Sequence, residues 1–335
     1  MARKLKSDKV LFTATLLLLC AGIVMVYSAS AIVALERFQQ ANLFVTRQAL
    51  WAVLGVAMLA IAMRVDYRTY RNEAFIWAVL GVVGVMLVGV LFSAPINGTR
   101  RWYGVGGLGI QPAELAKLAC VLFTALILER RMHRVDELSY SILPIAIVVG
   151  ALVGLILLQP DFGTAMTLLL IVGVMVFAAG LHYKYFVGSA LALLPVLYIV
   201  LVSAPYRRRR LMAFWDPWAD PLGDGFQIIQ SLIAVGTGGV FGHGLMEGVQ
   251  KLFYLPEAHT DFLLAVIAEE LGFAGVALVI ALFAWIVVRA FAIGRQASLH
   301  ERHFAALAAQ GIGVWIGFQA LIGRASCRER VYGPV

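Results

Sequence analysis

Uncharged apolar stretches of 15 to 21 residues recur along almost the whole chain, and roughly 20 such residues are enough for a helix to cross a bilayer. No other feature restricts the fold as strongly. Of 335 residues, 61% are hydrophobic and 14% charged, against about 25% charged in a soluble domain. That balance excludes an ordinary water-soluble protein and points to an all-α polytopic membrane protein. Backbone groups cannot stay unpaired in lipid, so each run is expected to be helical.

Nine spans are predicted, near residues 10–29, 47–63, 74–92, 113–128, 139–158, 162–181, 185–204, 262–288 and 304–322. The first is followed by further spans and no small-residue cleavage site, so it reads as a retained span and not a signal peptide. Placing the N-terminus in the cytoplasm puts fourteen Lys and Arg residues of the loops inside, from Arg3 to Arg302, and nine outside. Five of those nine fall in the long 205–261 segment, and long loops escape the positive-inside bias, so the N-inside arrangement is favoured and 205–261 faces outward. This segment is too apolar and too rich in Gly, Trp and Pro for a tether. It is expected to fold back as a cap over an outward cavity, with short helical pieces around 226–235.

Residues 1–322 thus read as one transmembrane domain. From Gly323 to Val335 the chain turns polar and loses helical periodicity, which reads as a foreign tail. The net charge of +8 is read as anchoring to anionic lipid, not as a nucleic-acid footprint. Cys20, Cys120 and Cys327 have neither disulfide-framework nor metal-site spacing.

Ionisable groups within or beside apolar helices are expensive and mark three candidate places. The first is the outer loop 93–112 leading into the fourth span, where Gln111, Pro112, Glu114 and Lys117 follow a glycine-rich turn. Glu114 and Lys117 are three residues apart and share a helix face, as a structural ion pair or as part of a site. Gly104, Gly106 and Gly109 match GxGxxG, but without a surrounding strand or βαβ unit the dinucleotide reading is discarded. The second place is 159–164, where Asp161 either caps the sixth span or faces a cavity.

The third is 255–262, running into the eighth span, which also carries Glu269 and Glu270. Asp261 stands where that helix begins, so capping is one reading and a general base the other. Asp261 and Glu269 are about 80° apart around a helix, an angle that lets both line one broad cavity but not one narrow stripe. His259 reads equally as a packing residue and as a proton carrier. Arg101 and the run Arg207–Arg210 lie on the same outward side. Arginine grips phosphate bidentately, so these groups beside acids suit a phosphate-activated substrate, while lipid headgroup binding is the simpler alternative.

The stretches NGTRRWYGVGGLGIQPAELAKL (97–118), QPDFGTA (159–165), FWDPWADPLGDGFQIIQSLIAVGTGGVFGHGL (214–245) and LPEAHTDFLLAVIAEELG (255–272) resemble the SEDS family of FtsW and RodA. YLPEAHTDF and DPWADPLGDGFQ look more like its division-associated branch than its elongation-associated one. The resemblance implies a peptidoglycan glycosyltransferase that polymerises lipid II on the outer face of the bacterial cytoplasmic (inner) membrane at the division site. It places the family's essential acid on Asp261 and substrate-cavity positions on Arg47, Arg101, Gln111, Glu114, Lys117, Asp161 and Asp216, with His259 as a further substrate-binding candidate. A class B penicillin-binding protein and other divisome proteins are the implied partners. The family continues into a tenth span, which is absent here, so a truncated copy is expected.

On this reading Asp261 takes the proton from the acceptor sugar hydroxyl as it attacks the anomeric carbon of the lipid-linked donor. The pyrophosphate charge is met by outer arginines, Lys117 or a divalent cation, Mg or Mn. The rivals are a lipid II flippase, for which paired broken helices near the bilayer midplane would be diagnostic, and a noncatalytic divisome scaffold.

Overall fold

The computed structural model describes residues 8–95, 99–105, 108–202, 205–252, 255 and 260–322. In chain order the elements are α1 (Lys9–Phe38), α2 (Leu43–Ala62), α3 (Tyr67–Tyr70), α4 (Glu73–Val90), β1 (Tyr103–Val105), β2 (Leu108–Ile110), α5 (Pro112–Arg131), α6 (Leu143–Leu158), α7 (Phe162–Ala178), α8 (Tyr183–Val202), α9 (Pro205–Trp215), α10 (Phe226–Thr237), α11 (Leu263–Leu299) and α12 (His303–Ile322). A π-helical turn, Leu138–Ile142, precedes α6.

Six helical segments are long and apolar enough to cross a membrane: Lys9–Phe38, Leu43–Ala62, Glu73–Val90, Leu138–Leu158, Leu263–Leu299 and His303–Leu321. The other three predicted spans are also helical, but α5 carries Glu114, Lys117, Glu129, Arg130 and Arg131, and α7 has 17 residues. The third, α8, has Pro195 inside it. The chain is therefore a helical polytopic membrane protein with six clear spans, not a demonstrated nine. The all-α class stands, with one small addition: the glycine-rich stretch forms an antiparallel pair in which Gly104 faces Gly109, and no βαβ unit accompanies it among the described residues. The predicted helical piece near 226–235 is α10, and the arginine run lies on a helix, α9, not in open loop. His259 and residues 323–335 lie outside the described residues.

The chain divides into two compact units. The larger part of one is Met63–Gly188 with Ile286–Leu321. Its core packs α4, α5, α6, α7 and α12 around Leu87, Phe123, Ile156, Leu168 and Phe304. Helix α5 is central because Ala113, Ala116, Ala119 and Ala125 are buried and let neighbouring backbones approach, the usual solution where lipid supplies no hydrophobic drive between helices. The outer faces stay apolar, as Val85 (73% exposed) and Ile147 (62% exposed) show. At one end Tyr103 donates from its hydroxyl to the Met86 carbonyl at 2.8 Å, seating the hairpin on α4. At the other, Glu129 accepts from Arg71 Nε at 2.8 Å and from the Phe304 N–H at 3.2 Å, joining α5 to the start of α12.

The other unit contains α1, α2, α9, α10 and the first part of α11, through Trp285. Its core gathers Met25, Ala29, Ala234, Leu255, Val266 and Ile267. The sequence presents 262–288 as one continuous span, but α11 breaks at Gly272, whose φ of 66° and ψ of −165° are not helical. The broken ends are paired by the 238–244 loop. His243 and Gly244 donate their N–H groups to the Glu269 and Glu270 carbonyls at 3.1 and 3.0 Å, and the Phe273 and Ala274 N–H groups donate to Gly239 and Val240 carbonyls at 2.9 and 3.0 Å. The groups freed at the break are thus paired within the protein, and the loop completes the helix's hydrogen bonding. A Cβ on Gly272 would lie 2.4 Å from the Gly242 nitrogen.

Gly272→Ala is accordingly expected to cost at least the ~1–3 kcal/mol of a left-handed non-glycine backbone and to lower the melting temperature of detergent-purified protein. Gly84→Ala, with nothing within 4 Å of the added carbon, is the control and leaves it unchanged. Equal melting temperatures for both variants would contradict the packed break.

Candidate functional site

Five of the candidate residues gather at one end of the unit built on α4 to α7 and α12. Asp161 is 8% exposed and caps α7, accepting from the Thr164 N–H at 3.3 Å and the Thr164 hydroxyl at 2.9 Å. Gln111, the residue before Pro112 at the start of α5, donates its Nε2 to Asp161 Oδ2 at 2.9 Å. Arg101 donates from Nε to the Gln159 carbonyl at 2.8 Å and from Nη2 to the Pro160 carbonyl at 2.5 Å. Gln159 is 1% exposed and donates in turn to the Leu87 carbonyl at 3.1 Å. Arg101, Gln111 and Asp161 therefore meet around the short connection from α6 to α7. Arg101 binds neutral carbonyls and Asp161 is surrounded by neutral donors, so these two opposite charges stabilise one loop without pairing with each other.

One helical turn further on, Lys117 Nζ lies 2.8 Å from Glu114 Oε1. The two partners differ in exposure, 2% for the lysine side chain and 39% for the glutamate. Helix α12 completes the pair from across the unit. Gln319 donates to Glu114 Oε2 at 2.9 Å, and Lys117 sits 5.4 Å from the centre of the Trp315 ring. Trp315 and Gln319 were missed by the sequence reading. Their signal is a spacing of four residues in an otherwise apolar helix, which places both on one face.

The unit with α1, α2 and α9 to α11 carries the other candidates. Asp261 is half-buried in the turn two residues before α11 begins. Arg47 is exposed in the second turn of α2. Asp216 is exposed and accepts from the Trp218 N–H at 3.1 Å, starting a short 3-10 turn, Pro217–Ala219. It lines a cavity of about 560 Å³ together with Arg208, Arg209, Asp220 and Asp224. Arg209 Nε lies 3.8 Å from Asp224 Oδ2. With two arginines facing three aspartates, this cavity is not a bare anion cradle.

Glu269 does not line an open cavity beside Asp261. It is 3% exposed, and its carboxylate accepts from the Val249 N–H at 2.7 Å and the Gln250 N–H at 3.1 Å. Glu270 is fully buried, 2.5 Å from Lys251 Nζ. Its oxygens also accept from the Ser28 hydroxyl at 2.7 Å and the Met246 N–H at 3.1 Å. Lys251 and Ser28 are the residues of this cluster that the sequence reading passed over. Among the described residues no three His, Cys, Asp or Glu side chains converge to hold a metal ion.

Comparison with known proteins gives a consistent result. The sequence pattern of the Cell cycle protein family FTSW_RODA_SPOVE matches residues 8–326. A probable peptidoglycan glycosyltransferase FtsW of Geobacter sp. (strain M18) is 40% identical over 323 residues, covering 95% of this chain and 86% of the relative. A probable peptidoglycan glycosyltransferase FtsW of Legionella pneumophila is 40% identical over 317 residues, covering 94% of this chain and 80% of the relative. Among solved structures, a chain of a peptidoglycan synthase complex that coordinates polymerization and crosslinking superposes with a TM-score of 0.76 at 31% identity, over 95% of this chain and 86% of that one. The rod shape determining protein RodA of Thermus thermophilus superposes with a TM-score of 0.66 at 26% identity, over 95% of this chain and 84% of that one. The chain belongs to the FtsW, RodA and SpoVE family of cell cycle proteins.

Proposed function

We propose that the protein is a peptidoglycan glycosyltransferase that polymerises lipid II during bacterial cell division, with Asp261 as its general base. Supporting this are relatives named peptidoglycan glycosyltransferase FtsW at about 40% identity and a half-buried carboxylate at the start of α11. All nine apolar segments span the cytoplasmic membrane in this reading, the N-terminus is cytoplasmic, and the 205–261 segment faces the wall together with Asp261. Residues 1–322 form the catalytic membrane domain and the segment from Gly323 is foreign to it. The partner is a class B penicillin-binding protein with other divisome proteins, in keeping with the peptidoglycan synthase complex that the fold resembles.

In the reaction Asp261 accepts the proton of the acceptor sugar hydroxyl as that oxygen bonds to the anomeric carbon of the donor, and the lipid pyrophosphate leaves with the bonding electrons. Carboxylates serve as bases of this kind when positioned within hydrogen-bond reach of the hydroxyl. We assign the leaving-group charge to Arg47, the cation of α2, because a positive charge set beside a developing anion stabilises it. Lys117 is engaged with Glu114 and Arg101 with two carbonyls. Arg101, Gln111, Glu114, Lys117 and Asp161 are proposed as substrate-binding residues on the strength of the family likeness, as are Asp216 and His259. The described donors do not form a set for Mg or Mn, so no step is assigned to a divalent cation.

The flippase reading is weaker. A translocation path of that type uses paired broken helices, whereas α11 is broken and no second described helix has a non-helical residue inside it. The acids at the break are also neutralised or hydrogen-bonded within the unit.

With lipid II and the transpeptidase partner, Asp261→Asn is expected to lower glycan polymerisation by ~10²-fold or more, the usual contribution of a positioned base. Lipid II movement across reconstituted vesicles, measured in parallel, should be the same for both proteins. Normal polymer from Asp261→Asn would remove the base. The exposure difference in the α5 ion pair generates a second expectation. Glu114→Gln strands a buried ammonium and Lys117→Met strands a carboxylate that still reaches solvent, and an uncompensated buried charge is the costlier fault. Glu114→Gln should therefore melt at the lower temperature. The reverse order would contradict the assigned burial.

A further inference from the structure

Lys251 and Glu270 form a buried ion pair on the same unit as Asp261, and the catalytic reading gives them no task. The lysine side chain is 2% exposed and the glutamate 0%, at 2.5 Å. Ser28 from α1 completes the contact, with its hydroxyl 2.7 Å from both carboxylate oxygens and accepting from Lys251 Nζ at 3.1 Å. An ion pair removed from water is costly to assemble and is weak evidence for stability in itself, so a positional role is the better explanation of why the chain carries one here.

The position it fixes is legible along the chain. Lys251 and Glu270 are 19 residues apart, and Asp261 stands between them. Leu255, which lies between Lys251 and Asp261 in the sequence, is 3% exposed in the core with Val266 and Ile267. The half-helix from Leu263 to Glu270 rises ~10 Å at 1.5 Å per residue, with Asp261 just before one end and the ion pair at the other. The break at Gly272 uncouples this half-helix from the rest of α11. Without the continuous helix to hold it, the half-helix is located by the loop that grips its last turn. The Val249 and Gln250 N–H groups on Glu269 and the Met246 N–H on Glu270 complete that grip.

We propose that Lys251, Glu270 and Ser28 are positioning residues for Asp261. The clamp fixes the far end of the half-helix 263–270 and thereby sets where the carboxylate just before its first residue stands relative to bound substrate. The proposal rests on Asp261 being the base. A shift of about 1 Å in a reacting group costs ~10²-fold in rate, so loosening the clamp should reduce turnover and leave substrate affinity largely untouched.

The test uses the full chain with its transpeptidase partner in lipid nanodiscs, with lipid II as substrate. The variants are Lys251→Met, Lys251→Arg, Asp261→Asn and the double variant Lys251→Met with Glu270→Met. The double variant replaces the pair by apolar side chains and strands no charge, so it should fold. Both Lys251→Met and the double variant are expected to lower kcat ~10- to 100-fold with KM changed less than about 2-fold. The acid limb of their kcat/KM profile should be displaced, because the base sits in altered surroundings. Lys251→Arg, which can still reach Glu270, should recover kcat to within about 3-fold. A loss of folded protein alone would lower the active fraction without moving the pH profile, and that result for the double variant overturns the positioning role. A double variant with wild-type kcat beside an inactive Asp261→Asn overturns the clamp and leaves the base standing. Wild-type turnover by Asp261→Asn overturns the base itself and the clamp's purpose with it.

Discussion

Polar groups inside a lipid-solvated helical protein must be satisfied by the protein itself, and the broken helix α11 is where this chain meets that requirement most heavily. Four backbone groups freed at Gly272 are taken up by the 238–244 loop, and two glutamates beside the break are taken up by the 246–251 segment and Ser28. The loop is therefore bound to α11 by backbone and side chain at once. It cannot shift without leaving donors or a charge unpaired in an apolar surround.

The second unit solves the same problem in smaller pieces. The Glu114–Lys117 pair neutralises itself within one turn of α5, with Trp315 and Gln319 of α12 closing over it. Arg101 ties down two carbonyls at the α6–α7 connection, and Asp161 caps α7. In both units the charged residues are thus held near helix ends or breaks, where unpaired backbone groups need them.

Much of this was legible in the sequence, for physical reasons that differ by element. Apolar runs announce helices because lipid permits little else, and α2, α4, α6 and α12 fall close to the expected boundaries, while α1 runs on to Phe38, past the expected end at residue 29. The Glu114–Lys117 pair and the Asp161 cap are local, three residues apart, so spacing was enough. The break at Gly272 was not legible, because an apolar run reads as continuous and the groups that complete the break lie some thirty residues upstream. The glycines at 238, 239, 242 and 244, together with Gly272, are the trace it leaves in the sequence. Glu269 was misread for the same reason, since its partners are backbone N–H groups of a loop that no helical wheel includes. The hairpin at 103–110 was missed because three-residue strands carry too little periodicity to register.

The proposal that Asp261 is the base is what links this geometry to chemistry. The most direct measurement is the pH dependence of kcat/KM for lipid II polymerisation by the wild type and by Asp261→Glu. A glutamate keeps the base but moves it by one methylene, so the account predicts a slower enzyme whose acid limb is displaced with the new carboxylate. An acid limb identical in both enzymes, at an undiminished rate, would show that the proton goes elsewhere.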